Sequence, residues 1–313
     1  MLRTVLVIFS LLSTLCQGAE RHVQDKITLS DLDNVIRHAN EYDKVREDRL
    51  DSCRTTLTHS KTLEQKYLLY FTMRRTFDRY RTDSATFYAV KSLDAAKELG
   101  RPDYISASSL ALAKQYMTSG MSYDALATLN RVDRSALSEK SREELYLFYM
   151  SIYESLEGLG IDQSLKQYYS SKASVYKDSI ASQFPDNVVG KSERFLLEGD
   201  YKSALDVLLR KYGSLSPESP ENGPVAIAIA DIYLSIGWND AAKDYMIASA
   251  YSDIVNAKKE YVALRMLATM LYEDGDIKRA YSYLNKALDD ANFCKARLKV
   301  DALAPLISIV NES

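Results

Sequence analysis

Five glycines recur along the chain at Gly120, Gly160, Gly199, Gly237 and Gly275, separated by 40, 39, 38 and 38 residues. The chain has eleven glycines in 313 residues, so this ladder constrains the fold more than any other feature. Four residues before each rung stands a large apolar side chain: Tyr116, Leu156, Phe195, Tyr233 or Leu271. Seven before, a small residue is usual (Ala113, Ser192, Ala230, Ala268), with Tyr153 the exception. Five after comes Ala125, Leu165, Ala204, Ala242 or Ala280, and four further on Leu129, Tyr169, Leu208, Met246 or Leu284. Large and small positions at helical spacing on both sides of a turn glycine describe two antiparallel helices that touch where their side chains are small. Repetition at such a period marks a helical solenoid.

The pattern resembles a tetratricopeptide repeat. Leu267-Ala268 with Leu271, Asp274-Gly275-Asp276, and Ala280 with Leu284 and Ala287 match it best. Ile229-Ala230 with Tyr233, Gly237, Ala242 and Met246 come next, then Gly199-Asp200-Tyr201 with Ala204 and Leu208. The period of that family is about 34 residues, so each unit here carries roughly four more, in longer helices or loops. The fold class expected is all-α, an antiparallel helix-pair solenoid with a long N-terminal helix.

The expected division is a signal peptide over 1–18, a charged helix within 19–60, about six repeats over 61–299 and a capping helix over 300–313. Arg3 and the apolar run Val5 to Leu15 read as a secretory signal cleaved after Gly18, because the run is too short to span a membrane. Acylation at Cys16 is the weaker alternative, since the residue before it is Leu15. Leu29 to Arg54 reads as one helix capped by Ser30, with Asp31 and Asp33 in its first turn and a dense mixed-charge face. That face is either solvated or used for dimerising or capping. Residues 62–98 hold a degenerate first repeat whose second helix, Ser84 to Leu99, sets Ala85 in step with Ala125 although no glycine marks its turn. Residues 141–180 depart most from the pattern: Tyr153 and Leu165 are bulky, so their helices are expected to stand further apart. Ser214 to Pro224, with three prolines, is the linker candidate, and Val300 to Val310 the closing helix.

A net charge of −3 gives no basic footprint for nucleic acid. Cys53 and Cys294 are expected to lie far apart along the solenoid as free thiols, and His22, His38 and His59 show no metal-ligand spacing with them. No phosphate-cradling loop, zinc-protease helix or nucleophile elbow occurs. The 23 tyrosines fill core slots or line an aromatic groove for peptide or sugar. Glu154, Glu157 and Glu193 lack a positioned partner for acid–base work, so no enzyme, cofactor or metal is expected.

Two end segments are similar to the periplasmic N-terminal sensor region of membrane-anchored regulators of Gram-negative bacteria. They are Leu32-Asp33-Asn34-Val35-Ile36 with Arg49-Leu50-Asp51-Ser52, and Ala287 to Phe293 followed by Ala296-Arg297-Leu298. The similarity runs from about residue 27 to 310 and implies a periplasmic protein- or peptide-binding solenoid serving signalling to gene expression. In that family a transmembrane helix and a cytoplasmic DNA-binding region follow, and this sequence stops at Ser313 before any such helix, so DNA binding is not carried over. The alternative is an outer-membrane scaffold or glycan-binding accessory protein. In tetratricopeptide arrays the first helix of each unit lines the groove, which places Leu110, Lys114, Met117, Asp231, Leu234, Arg265, Thr269 and Tyr272 there. That mixture suits an extended peptide with one or two charged anchors.

Overall fold

The computed structural model of the protein describes residues 26–294, apart from 161, 260 and 261. The signal sequence, Cys16 and the closing helix of residues 300–310 lie outside them. The described residues form fourteen α-helices and one short 3-10 turn, with no strand. Two N-terminal helices, α1 (Leu29–Arg37) and α2 (Ala39–Thr58), precede six antiparallel pairs. The pairs are α3 (Leu63–Phe77) with α4 (Thr82–Glu98), α5 (Pro102–Thr118) with α6 (Ser122–Leu129), and α7 (Glu139–Leu159) with α8 (Gln163–Gln183). They continue with α9 (Val188–Leu197) and α10 (Tyr201–Gly213), α11 (Asn222–Ser235) and α12 (Asn239–Val255), and α13 (Val262–Glu273) and α14 (Ile277–Phe293).

The glycine ladder works through backbone geometry. Gly120, Gly199, Gly237 and Gly275 have φ between 73° and 84°, the left-handed conformation that a residue with a Cβ adopts at a cost. The amide just beyond each glycine then reaches back to the carbonyl of the large residue four before it. Met121 N–H bonds Tyr116 O, Asp200 bonds Phe195 O, Trp238 bonds Tyr233 O and Asp276 bonds Leu271 O, each at 2.8 Å. This is the Schellman closure of a helix. In two units the next residue is an aspartate that starts the second helix at once: Asp200 accepts from Ser203 N–H and Asp276 from Arg279 N–H. The register follows the expectation, since Ala113, Ala125, Ala204, Ala230, Ala242, Ala268 and Ala280 are all wholly buried between paired helices.

The unit at Gly160 departs from the pattern, but not as expected. Gly160 has φ −63° and is not left-handed. Its helices α7 and α8 pack closely all the same, because α8 is rotated so that Leu165 faces solvent, 47% exposed, while Ala173 and Ile180 are buried. The space is filled by stacked rings: Tyr176 lies 4.7 Å from Tyr149 and 5.9 Å from Tyr153. The first unit also finds its own solution. Where a glycine is lacking, Arg79 takes a left-handed φ of 54°.

Three further expectations are corrected. The N-terminal helix begins at Leu29 as expected, but its cap is Thr28, not Ser30, through a capping box with Asp31, and it breaks at His38. The break follows from packing: α1 buries Leu32 and Val35 against the core of the last two units, whereas α2 turns away to bury Leu50 among Met73, Phe77 and Tyr80. Ser214 to Pro224 is no slack linker, because α12 pins it. Ser252 Oγ donates to Ser219 O at 3.0 Å, Asn256 Nδ2 to Glu218 O at 2.8 Å, and Gly223 N–H to Ser252 Oγ at 3.2 Å. The two cysteines are not far apart along the molecule. Cys53 packs in the cluster that contains Tyr80, and Cys294 Sγ donates to Tyr80 O at 3.1 Å.

That last contact reveals the arrangement the sequence hides: the first unit meets the last. Thr82 N–H reaches Cys294 O at 3.4 Å, Lys259 N–H donates to Arg79 O at 2.6 Å, and the Tyr80 and Phe293 rings are 5.0 Å apart. The N-terminal helices bridge the closure. Asp33 on α1 pairs with Arg279 at 2.9 Å and accepts from Tyr283 Oη at 2.6 Å, both on α14. Arg46 on α2 donates to Asn256 O at 2.6 Å and Asp78 O at 3.3 Å.

Candidate functional site

The eight residues expected in the groove are divided by the structure. Leu110 is buried in the core with Ala113, Leu129 and Leu145 and presents nothing to a partner. Met117 leans on the same core. Lys114 is paired with Asp78 of the neighbouring unit at 2.6 Å and faces a cleft beside α2. The remaining five sit on α11 and α13, the first helices of the last two units. Leu234 and Tyr272 are half-buried against the core, Arg265 and Thr269 are half-exposed, and Asp231 is exposed. Thr269 Oγ1 donates to Arg265 O at 3.1 Å. Loss of hydration on the protein side holds the Asp231 carboxyl above its usual range. The N-terminal helices dock on α12, α14 and the loops beside them, on the opposite side of these pairs.

Glu154 and Glu193 do have a partner. Lys177 pairs with them at 2.8 and 3.2 Å, and although burial opposes it, the two carboxylates hold its ammonium above the usual value. The three side chains join the third unit to the fourth and are an ion-pair network rather than an acid–base pair. Most buried tyrosines fill core slots, as Tyr67, Tyr80, Tyr149, Tyr233 and Tyr283 do, and burial raises the phenols of Tyr67, Tyr80, Tyr149 and Tyr283. Among the described residues no group of three or more His, Cys, Asp and Glu could hold a metal ion.

The charged centre of the molecule was missed in the sequence. Lys259, 5% exposed, places Nζ 2.6 Å from Asp43 of α2 and 3.2 Å from Asp290 of α14. It lies over the rings of Tyr80 and Phe293 at 5.8 and 5.4 Å. One buried cation thereby ties together α2, the α3–α4 turn, the α12–α13 loop and α14. Its partners stand 216 and 31 residues away in sequence, so no local pattern could have announced it.

A solenoid of paired helices with this turn chemistry is a tetratricopeptide-type protein-interaction scaffold. The chain matches the family described as the SusR N-terminal TPR domain over residues 36–303, and it belongs to that family. Among solved structures it is similar to the TPR2AB-domain:pHSP90 complex of yeast Sti1, with 12% identity over 89% of this chain and 99% of that one and a TM-score of 0.31. It is also similar to BtubC (BKLC) from P. vanneervenii, with 16% identity over 91% and 92% of the two chains and a TM-score of 0.22. No curated protein matches it.

Proposed function

We propose that this chain is a non-enzymatic periplasmic solenoid that binds a protein or peptide and forms the sensory part of a regulator of gene expression. One observation carries the binding surface. The N-terminal helices occupy the side formed by α12 and α14, leaving Asp231, Leu234, Arg265, Thr269 and Tyr272 on the first helices of the same two units. Arginine and tyrosine dominate binding energy at interfaces more often than other residues. Here one of each is half-exposed on α13, beside an acidic group on α11 that already lacks part of its hydration. Periplasmic location rests on the reading of residues 1–18, and the sensory role on the end segments shared with regulator sensor regions.

The test is a pair of captures from periplasmic extract with the wild-type chain and an Arg265→Ala/Tyr272→Ala variant. Arg265 and Tyr272 are only partly buried and neither belongs to the wholly buried alanine contacts between paired helices, so the variant should keep its helical circular dichroism. Its affinity for the captured partner should fall by at least ~1 kcal/mol, about fivefold. Equal affinity in a folded variant moves the site off this face.

A further inference from the structure

A second site lies where the array closes. A cleft of about 550 Å³ opens between α2, the end of α3, α5, the start of α11 and the loop after α12. Six cationic side chains line it: Arg46, Arg49, Arg75, Arg79, Lys114 and Lys258. The one carboxylate in its lining is Asp78. In a chain of net charge −3 this is a concentrated reversal of sign, assembled from residues up to 212 positions apart (Arg46 to Lys258).

Part of this charge is met inside the protein, and Arg49 and Arg75 carry the remainder to the cleft. Asp78 is engaged by Lys114 at 2.6 Å. Lys258 has Asp253 behind it at 3.4 Å and donates to Pro220 O at 2.7 Å. The Arg46 guanidinium bonds carbonyl oxygens of Asn256 and Asp78. Arg49 and Arg75 are exposed and pair with no carboxylate among the described residues. Burial lowers the Lys258 ammonium; Asp253 opposes this, while the neighbouring Arg79 and Arg46 add to it. The backbone is also unusual here. Arg79 and Ala257, at φ 54° and 48°, are the non-glycine residues with positive φ among those described. Arg79 lines this cleft, and Ala257 lines an adjoining recess of about 270 Å³ that shares Arg46, Arg49 and Lys258. Both residues close helices, Arg79 after α3 and Ala257 after α12, and so fix where the walls of the cleft turn.

We propose that this cleft binds a small polyanion carrying at least two carboxylate or phosphate groups. Guanidinium forks match either oxyanion in bidentate fashion, and the volume falls within the range of small-molecule sites. More than one charge fits because the cations come from separate elements: Arg46 and Arg49 from α2, Arg75 and Arg79 from the first unit, Lys114 from the second and Lys258 from the loop after α12. The ligand would therefore span the closure between the N-terminal helices and the repeats. This site is distinct from the α11–α13 face and stands or falls independently of it.

Calorimetric titration of the full chain at low salt, with citrate, pyrophosphate and acetate as probes, tests the assignment. Saturable binding of citrate or pyrophosphate is expected, at least tenfold tighter than acetate, and the better of the two identifies the anionic group. An Arg49→Gln/Arg75→Gln variant alters two exposed side chains, so it should keep its circular dichroism and thermal midpoint while losing at least tenfold in affinity. Absence of saturable binding by both polyanions overturns the proposal, as does undiminished affinity in the folded variant. Tighter binding of a hexaglutamate peptide than of either small probe overturns it too, in favour of an extended acidic partner.

Discussion

Lys259→Ala is expected to lose about 3–5 kcal/mol of unfolding free energy, the cost of breaking a buried ion pair by removing one partner. Asp43 and Asp290 would be left facing each other across the closure, the latter retaining only Lys286 at 2.6 Å. Asp290 is 4% exposed, so water cannot replace the lost cation there. The rings of Tyr80 and Phe293 would lose the ammonium that lies over them as well. A triple variant, Lys259→Met/Asp43→Leu/Asp290→Leu, should recover much of the loss, because replacing all the partners by apolar groups of similar volume is far less costly than orphaning a buried charge. Urea melts of the three chains check this. A single variant within about 0.5 kcal/mol of wild type would mean that Lys259 is not a buried tie.

The second large effect is expected at Gly190. It sits in α9 where that helix crosses α8, and a Cβ there would overlap Ile180 Cγ2 and lie 3.2 Å from Ile180 Cβ. Ile180 is wholly buried and β-branched, so its χ1 has little freedom to turn aside. In an open helix, replacing glycine would stabilise by about 0.5–1 kcal/mol. At this crossing, Gly190→Val should instead destabilise by about 3 kcal/mol, the upper range of overpacking. Adding Ile180→Ala should make room, so the double variant should lose less than the sum of the two single changes by at least about 1 kcal/mol. Additive losses would show that the two residues do not touch.

These cases show which parts of the molecule were legible. The repeat was, because a left-handed turn, a Schellman carbonyl and a helix-helix contact each demand a particular residue at a fixed offset, and Gly199, Gly237 and Gly275 satisfy all three at once. Gly160 carried the same letter without the same geometry, and only the outward turn of Leu165 showed it. Gly190, outside the ladder, proved to be the glycine that packing requires. The N-terminal segment misled for a different reason. Its charged residues read as a solvated face, yet Asp33, Asp43 and Arg46 are the groups that join it to α14, Lys259 and the carbonyls of Asp78 and Asn256. Charge on a helix face has no address in sequence; the partner is decided by how far the superhelix turns. For the same reason the basic cleft was invisible in a chain whose overall charge is negative, and nothing in the sequence set Lys114 beside Arg46 or Arg75.

The central claim is that the array closes, with the first repeat in contact with the last. The Lys259 amide reports on it directly, because its hydrogen bond to Arg79 O at 2.6 Å crosses that closure and belongs to no helix. Site-resolved hydrogen exchange of the native protein should find this amide as protected as the interior amides of α12. Exchange at the rate of an unstructured peptide, with α12 still protected, would contradict closure and leave an open solenoid.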